Sequence, residues 1–447
     1  MMFNKRFFSL AFFSCFVFLC LFNSNAVAAN CVVNSSTDIN FGSGNAGDLR
    51  FCIGQTNLNS GADIITFDIE GTILLNNSLP IITDSLAIKG EKHHIIIDGQ
   101  NRTGVAPLSV NAGSSILVTI SDLIVTRGNG NNPDSGGIQV SGGAMLDLTN
   151  VTIDNCTTLA ENGGGLLAFG STVRLFNSRI INNHMSAPGS AGSGISIQGG
   201  TFFMTGSVVS GNTLPNSSDI GGAGIHLFQV SSARIESSTI NGNINGNYGA
   251  GIHNNGSNLK MSNVTVSGNS GGVQAGGVSN VSGTLTLRNC TISGNSVTRF
   301  GGGIYNVGNG AVLTLANTIV AGNTAAINGQ DIYNFASLSR AGTNIVQANI
   351  VNSGTIGGGG TIINVDPKLL PLATNGGRVP TRALAFDSPA RNAGVNAEAL
   401  DTFGVPLIYD ARGPGFTRIK SLIVDVGAYE STLVRVGYDV GDNFLQP

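Results

Sequence analysis

The sequence predicts an all-β fold, a parallel β-helix with three short strands in each coil. Three recurring signals predict it. First, an apolar-x-x-Asn phrase ends at Asn183, Asn212, Asn243, Asn269, Asn295 and Asn323, in steps of 29, 31, 26, 26 and 28 residues. Second, apolar residues pair two apart, as in Leu146/Leu148, Val173/Leu175, Leu259/Met261 and Leu285/Leu287. An aliphatic follows five residues after the second member, as at Ile153, Ile180, Val266 and Ile292. Period two marks a strand with one buried face. Third, a glycine precedes an aliphatic, as in Gly164-Gly165-Leu166, Gly251-Ile252 and Gly302-Gly303-Ile304. A unit of this length that cannot bury its apolar face alone must stack on copies of itself.

Composition agrees. The chain has 447 residues, 64 glycines, no tryptophan and 11% charged residues. Disorder would need low hydrophobicity and high charge, and neither is present. A net charge of −3 gives no nucleic-acid footprint.

In chain order, residues 1–29 read as a secretory signal peptide. Lys5 and Arg6 precede an apolar run from Phe7 to Phe22, and Ala26-Val27-Ala28 supplies small residues for cleavage. No later stretch is long and apolar enough to span a bilayer. The expected location is therefore secreted or at the cell surface. Of the four cysteines left after cleavage, Cys31 and Cys52 flank one short segment and suit a local disulfide in an exported protein. Cys156 and Cys290 read as small buried residues, with no C-x-x-C or His cluster beside them. Residues 30–60 read as an N-terminal cap, since a stacked sheet has edges that need covering. Residues 61–360 are the helix, and the stretch from Asp63-Ile64-Ile65-Thr66-Phe67 through Ile95-Ile96-Ile97-Asp98-Gly99 supplies its first short strands. Length varies mainly between each asparagine and the next glycine, so that segment is a loop.

The asparagines read first as a structural ladder along the axis. A second column, Asn254, Asn280, Asn306 and Asn334, follows the glycine signal. Asn263-Val264-Thr265 and Asn289-Cys290-Thr291 also match the glycan acceptor pattern, a consequence of Asn and Thr holding fixed positions in the repeat.

Other blocks carry family resemblances. Leu49-Arg50 followed by Gly61-Ala62-Asp63-Ile64-Ile65-Thr66-Phe67 resembles the N-terminal segment of exported CSLREA-type proteins. Val365-Asp366-Pro367, Asn375-Gly376-Gly377, Ser388-Pro389-Ala390-Arg391-Asn392-Ala393-Gly394, Asp410-Ala411-Arg412-Gly413 and Asp425-Val426-Gly427-Ala428-Tyr429-Glu430 resemble the choice-of-anchor Q domain, placed here at 361–431 and followed by a tail at 432–447. Gly142-Gly143-Ala144-Met145 and Gly302-Gly303-Ile304 are similar to chlamydial polymorphic outer-membrane protein repeats, although Ile or Val replaces their Phe. The residues after Glu430 are too few for an autotransporter barrel. Together the resemblances imply an exported, right-handed, single-stranded parallel β-helix of the pectate-lyase-like class. They imply no activity, since one fold hosts many functions.

Three outward columns are expected to carry any chemistry. One runs Asp147, Arg174, Phe203, Arg234, Lys260, Thr286 and Thr314. Arg174, Arg234 and Lys260 there suit an acidic polysaccharide. A lyase would also need carboxylates for calcium, and the column offers Asp147 alone, with Glu236 near Arg234. A second column contains His226, His253, Tyr305 and Tyr333; tyrosines stack on sugars, and two histidines without a third ligand make no metal site. A third, Thr152, Thr239, Thr265 and Thr291, reads as an exposed β face that suits a periodic ligand. No column places Asp or Glu in neighbouring coils, as hydrolysis would require. The expectation is a non-enzymatic binding or adhesion module for glycans or cell surfaces, with no cofactor. The alternative is a polysaccharide lyase or hydrolase, with calcium in the lyase case.

Overall fold

From Gly165 to Asn323 each coil begins at a glycine and closes at an asparagine, and the two ends meet. A Cβ on Gly251 would lie 3.1 Å from Asn269 Nδ2 and 2.5 Å from the carbonyl of Gly277 in the next coil. Gly194 faces Asn212, Gly224 faces Asn243 and Gly303 faces Asn323 in the same way. The glycine signal and the asparagine signal are thus two halves of one contact.

The structure is a computed structural model that describes residues 28 and 30–431, apart from 92, 132–134, 160–161, 186–190, 215–220, 246 and 349. The expected signal peptide, residue 28 excepted, and the tail at 432–447 lie outside the described residues. The described chain forms sheets of 15, 12 and 10 strands, called here sheets 1, 2 and 3, parallel except where Gly42–Ser43 pairs antiparallel with Ala46–Gly47 at the edge of sheet 1, with a corner ladder of eight two-residue strands. One coil shows the order: Ile252–Asn255 in sheet 3, Asn258–Ser262 in sheet 1, Thr265–Ser267 in sheet 2 and Ser270–Gly271 in the corner ladder. The expected three strands per coil are present, and the corner ladder is an addition. It follows directly on the ladder asparagine, which holds the chain in register for two further residues.

Columns of identical character run along the axis. Ala233, Leu259, Leu285 and Leu313 pair in register and are wholly buried. Between sheets 1 and 2 the chain turns at a residue with positive φ: Asn263 at 55°, Asn289 at 49° and Asn317 at 47°. Asparagine tolerates that left-handed conformation, which explains its recurrence there.

The inner ladder saturates its groups. Asn243 Nδ2 donates to Asn269 Oδ1 (2.9 Å) and to the Val209 carbonyl (3.1 Å), while the Asn243 backbone N–H donates to the same Asn269 Oδ1 (3.0 Å). The pattern runs from Asn183 to Asn323. Cys156 occupies the preceding position and offers its backbone N–H to Asn183 Oδ1 (3.0 Å). Each unmade bond of a buried amide would cost about 1–3 kcal/mol, so the column fixes one register. A second stack links Asn254, Asn280, Asn306, Asn334 and Asn352.

At the N-terminal end, Asn30–Val33 is itself a strand of sheet 1, paired with Asp63–Phe67. The helix Leu49–Thr56 packs beside it. Asp48 caps that helix by accepting from the Phe51 N–H (2.8 Å). Leu49 is buried, and Arg50 holds Asp38 and the carbonyls of Asn77 and Ser78. The Cys31–Cys52 disulfide joins this helix to its strand.

The last strand of sheet 2 is Thr361–Ile363. From there the chain returns along the outside of sheet 2 rather than capping the end. Ile319 and Ile345 pack against Leu384, Ala390 and Val426. Thr239 Oγ1 donates to the Pro380 carbonyl (2.5 Å), and the Ala428 N–H donates to Thr291 Oγ1 (3.0 Å). The expected exposed threonine face is therefore corrected: Thr239, Thr265 and Thr291 are at most 2% exposed, because the chain's own C-terminal segment covers them. Arg418 is fully buried there, donating to the carbonyls of Asp425 (2.8 Å) and Gly427 (2.7 Å). Asp410 pairs with Arg412 at 2.6 Å, and Asp425 and Glu430 are buried beside them.

Candidate functional site

The outward column of sheet 1 is continuous through Asp147, Arg174, Phe203, Arg234, Lys260, Thr286 and Thr314. β-pleating turns these residues away from the core while their neighbours at either side are buried. The C-terminal segment sends a loop over its middle. Thr402 donates from its N–H to Glu236 Oε1 (3.0 Å), and Arg234 donates to the Thr402 carbonyl. Phe403 stands out from this loop, 63% exposed, with the Arg234 guanidinium 4.2 Å from its ring centroid.

Between this loop and the sheet lies a cleft of about 320 Å³, open to solvent. Its walls are Arg174, Arg234, Phe176, Phe203 and Phe403, with Thr172, Thr201 and Ser232 along the edge. The rings form a chain: Phe176 to Phe203 is 5.7 Å between centroids, and Phe203 to Phe403 is 6.3 Å. Arg174 lies 3.4 Å from Asp147, an ion pair that does not reach hydrogen-bonding geometry. Burial raises the Asp147 carboxyl above its ordinary range, against the opposing pull of Arg174. Lys260 lines a separate recess of about 190 Å³ on the other side of the loop, with Asp401 and Arg288. Arg288 is paired with Glu398. The structure thus joins Arg174 and Arg234 in one cleft and places Lys260 outside it.

The two histidines are a correction. His226 and His253 stack as expected, at 5.5 Å, but they are 3% and 4% exposed rather than outward on the surface. The reason is the loop before each one. Gly222 and Gly249 have φ of 80° and 57°, and they fold the chain so closely over the column that a Cβ on either would touch the histidine. Burial pushes His226 down to about 3, with a smaller contribution from His253, and pushes His253 down to about 4. Both are neutral at pH 7. His226 has no hydrogen-bond partner among the described residues on either ring nitrogen.

Tyr305 and Tyr333 also stack at 5.5 Å, on the outside of sheet 3, but they remain half-exposed. They lie in the coils of Thr314 and Ser339, beyond Lys260 along the axis. Cys156 and Cys290 are buried free thiols, each pushed up to about 12 by burial. Asn263 and Asn289 are fully buried, and their amides donate to the carbonyls of Tyr409 (2.8 Å) and Glu398 (3.1 Å). Among the described residues no group of three or more His, Cys, Asp or Glu is placed to hold a metal ion. No helix among them is long and apolar enough to cross a membrane.

Phe403, Thr402 and Phe176 were outside the sequence expectation. Phe176 occupies the last position of a regular strand, half-buried and in register with Thr149 and Thr205. Phe403 comes from a loop about 170 residues downstream of Arg234, and no local pattern announces that contact.

A family model described as "Right handed beta helix region" matches residues 136–325. Among solved structures, the chain is similar to the crystal structure of pectate lyase Pel9A, with 11% identity and a TM-score of 0.41, over 91% of this chain and 98% of that one. Comparison with curated proteins gives no match. In fold, the protein is a right-handed parallel β-helix, with its C-terminal segment laid along one flank.

Proposed function

We propose that this β-helix is a secreted or cell-surface module that binds an acidic polysaccharide in the cleft between Arg174 and Phe403, without cutting it. The carrying observation is the cleft's lining: two guanidinium groups, the exposed Phe403 ring and the half-buried rings of Phe176 and Phe203, with no carboxylate among the described residues. Guanidinium groups hold carboxylate or sulfate in paired hydrogen bonds. Aromatic faces receive the apolar face of a sugar ring. Catalysis by the known routes would need more. A glycosidase needs two carboxyl groups across the bond, and a calcium-assisted lyase needs carboxylates to hold the ion. Asp147 is drawn toward Arg174, and Glu236 is taken by Thr402. The disulfide near the N-terminus supports an oxidising compartment.

Titration calorimetry of the full chain with uronic-acid and sulfated oligosaccharides tests the proposal. Arg174→Ala and Phe403→Ala should each weaken binding by roughly tenfold, the loss of one good contact. Unchanged affinity in both variants would remove the cleft from consideration.

A further inference from the structure

A second concave site lies on a different face and has a different chemistry. In one coil the turn from sheet 3 to sheet 1 is long, running through Gly308-Asn309-Gly310-Ala311. In the next coil the same turn is only Phe335-Ala336. Gly308 and Gly310, at φ of 99° and 74°, let the long turn bend tightly. The mismatch leaves a notch of about 660 Å³ beneath the overhang.

Tyr305, Tyr333 and Phe335 line the notch, together with Asn309, Ser337 and the peptide groups of the long turn. Tyr333 sits within a stack, 4.6 Å from Phe335, 5.5 Å from Tyr305 and 4.9 Å from Phe300 between ring centroids. Phe335 ends that stack and is 47% exposed. Mutual packing fixes the rings, so little side-chain entropy remains to be lost on binding. No charged residue among those described lines the notch. An ionised ligand would lose hydration there without gaining a counter-charge.

An aromatic wall with an uncharged polar rim matches a ligand that has one apolar face and a hydroxylated edge. We propose that the notch binds a neutral pyranose unit, stacked against Phe335, with its hydroxyls met by Asn309, Ser337 and the turn backbone. Thr314 and Lys260 are two coils apart in register, which is roughly 10 Å along the axis. The notch therefore lies beyond the Arg174 cleft, and the two proposals stand or fall separately.

The test is calorimetric titration of the full chain with β-1,4-linked glucose, mannose and xylose hexasaccharides. At least one should bind, and Phe335→Ala should weaken it at least tenfold. Phe335→Leu keeps the apolar bulk and removes the ring; it should show a similar loss with an unchanged melting temperature. Arg174→Ala should leave this binding intact. Failure of all three hexasaccharides to bind at millimolar concentration would overturn the assignment, as would full affinity in Phe335→Leu.

Discussion

Asn323 hands the inner ladder to a carboxylate: Asp331 Oδ1 accepts from Asn323 Nδ2 at 2.9 Å and from its backbone N–H at 3.2 Å. Asp331 Oδ2 accepts in turn from the Ala348 N–H (2.7 Å). The stack of neutral amides is thus closed by a side chain with acceptors only. Asp331→Ala should leave the Asn323 backbone N–H and one of its two amide hydrogens buried and unmet, the other still donating to the Ile292 carbonyl (3.0 Å), at a cost of about 2–4 kcal/mol in chemical denaturation. Asp331→Asn keeps one acceptor and should lose much less. Equal losses in the two variants would show that the ladder end is held by something else.

The buried histidine pair gives acid sensitivity. Both pKa values are depressed by burial from the ordinary 6.5, so below 6.5 the unfolded chain binds protons that the folded one refuses. Stability from this source is complete above pH 6.5 and falls as pH drops toward 4 and 3. Leu167 fills the equivalent column position in an earlier coil and is buried. His226→Leu should therefore be tolerated at pH 7 and should stabilise the protein by on the order of 2 kcal/mol at pH 4.5. The difference between melting curves at the two pH values is the readout.

Glu430 acts in the opposite sense. Burial, opposed by Arg418, raises it to about 7. Between about 4.5 and 7 the folded state holds a proton that the unfolded state releases, so stability declines as pH rises through this window. Glu430→Gln should melt higher than the parent at pH 8.5 and show little difference at pH 5. A larger deficit at pH 8.5 would mean that the Glu430 charge is needed to balance Arg418.

Asn263 and Asn289 match a glycan acceptor pattern, but their amides are buried and engaged with Tyr409 and Glu398. Expression through a eukaryotic secretory pathway should leave both unmodified. Peptide mapping by mass spectrometry decides this, and occupancy at either position would require the C-terminal segment to be detached.

Much of the fold was legible because it repeats. A stack of like coils puts Asn269 on Asn295 and Leu259 on Leu285, so the sequence period is also the contact map. What the period could not supply is what lies over each outward column. His226 is covered by a loop that turns at two positive-φ glycines, Gly221 and Gly222, and Thr239 by a segment some 140 residues downstream. The Arg174–Arg234 column was visible, whereas the ring that turns it into a cleft, Phe403, comes from that same distant segment. Tyr305 and Tyr333 were visible as a pair, but the notch beside them arises from a difference in turn length between two coils.

The most direct measurement incubates the full chain with pectate, alginate and glycosaminoglycans, with and without calcium, and follows retention and polymer length together. The account predicts that at least one acidic polymer is retained, that Arg174→Ala weakens retention roughly tenfold, and that polymer length stays constant. Shortened or unsaturated products would contradict it, and so would a complete lack of retention across the panel.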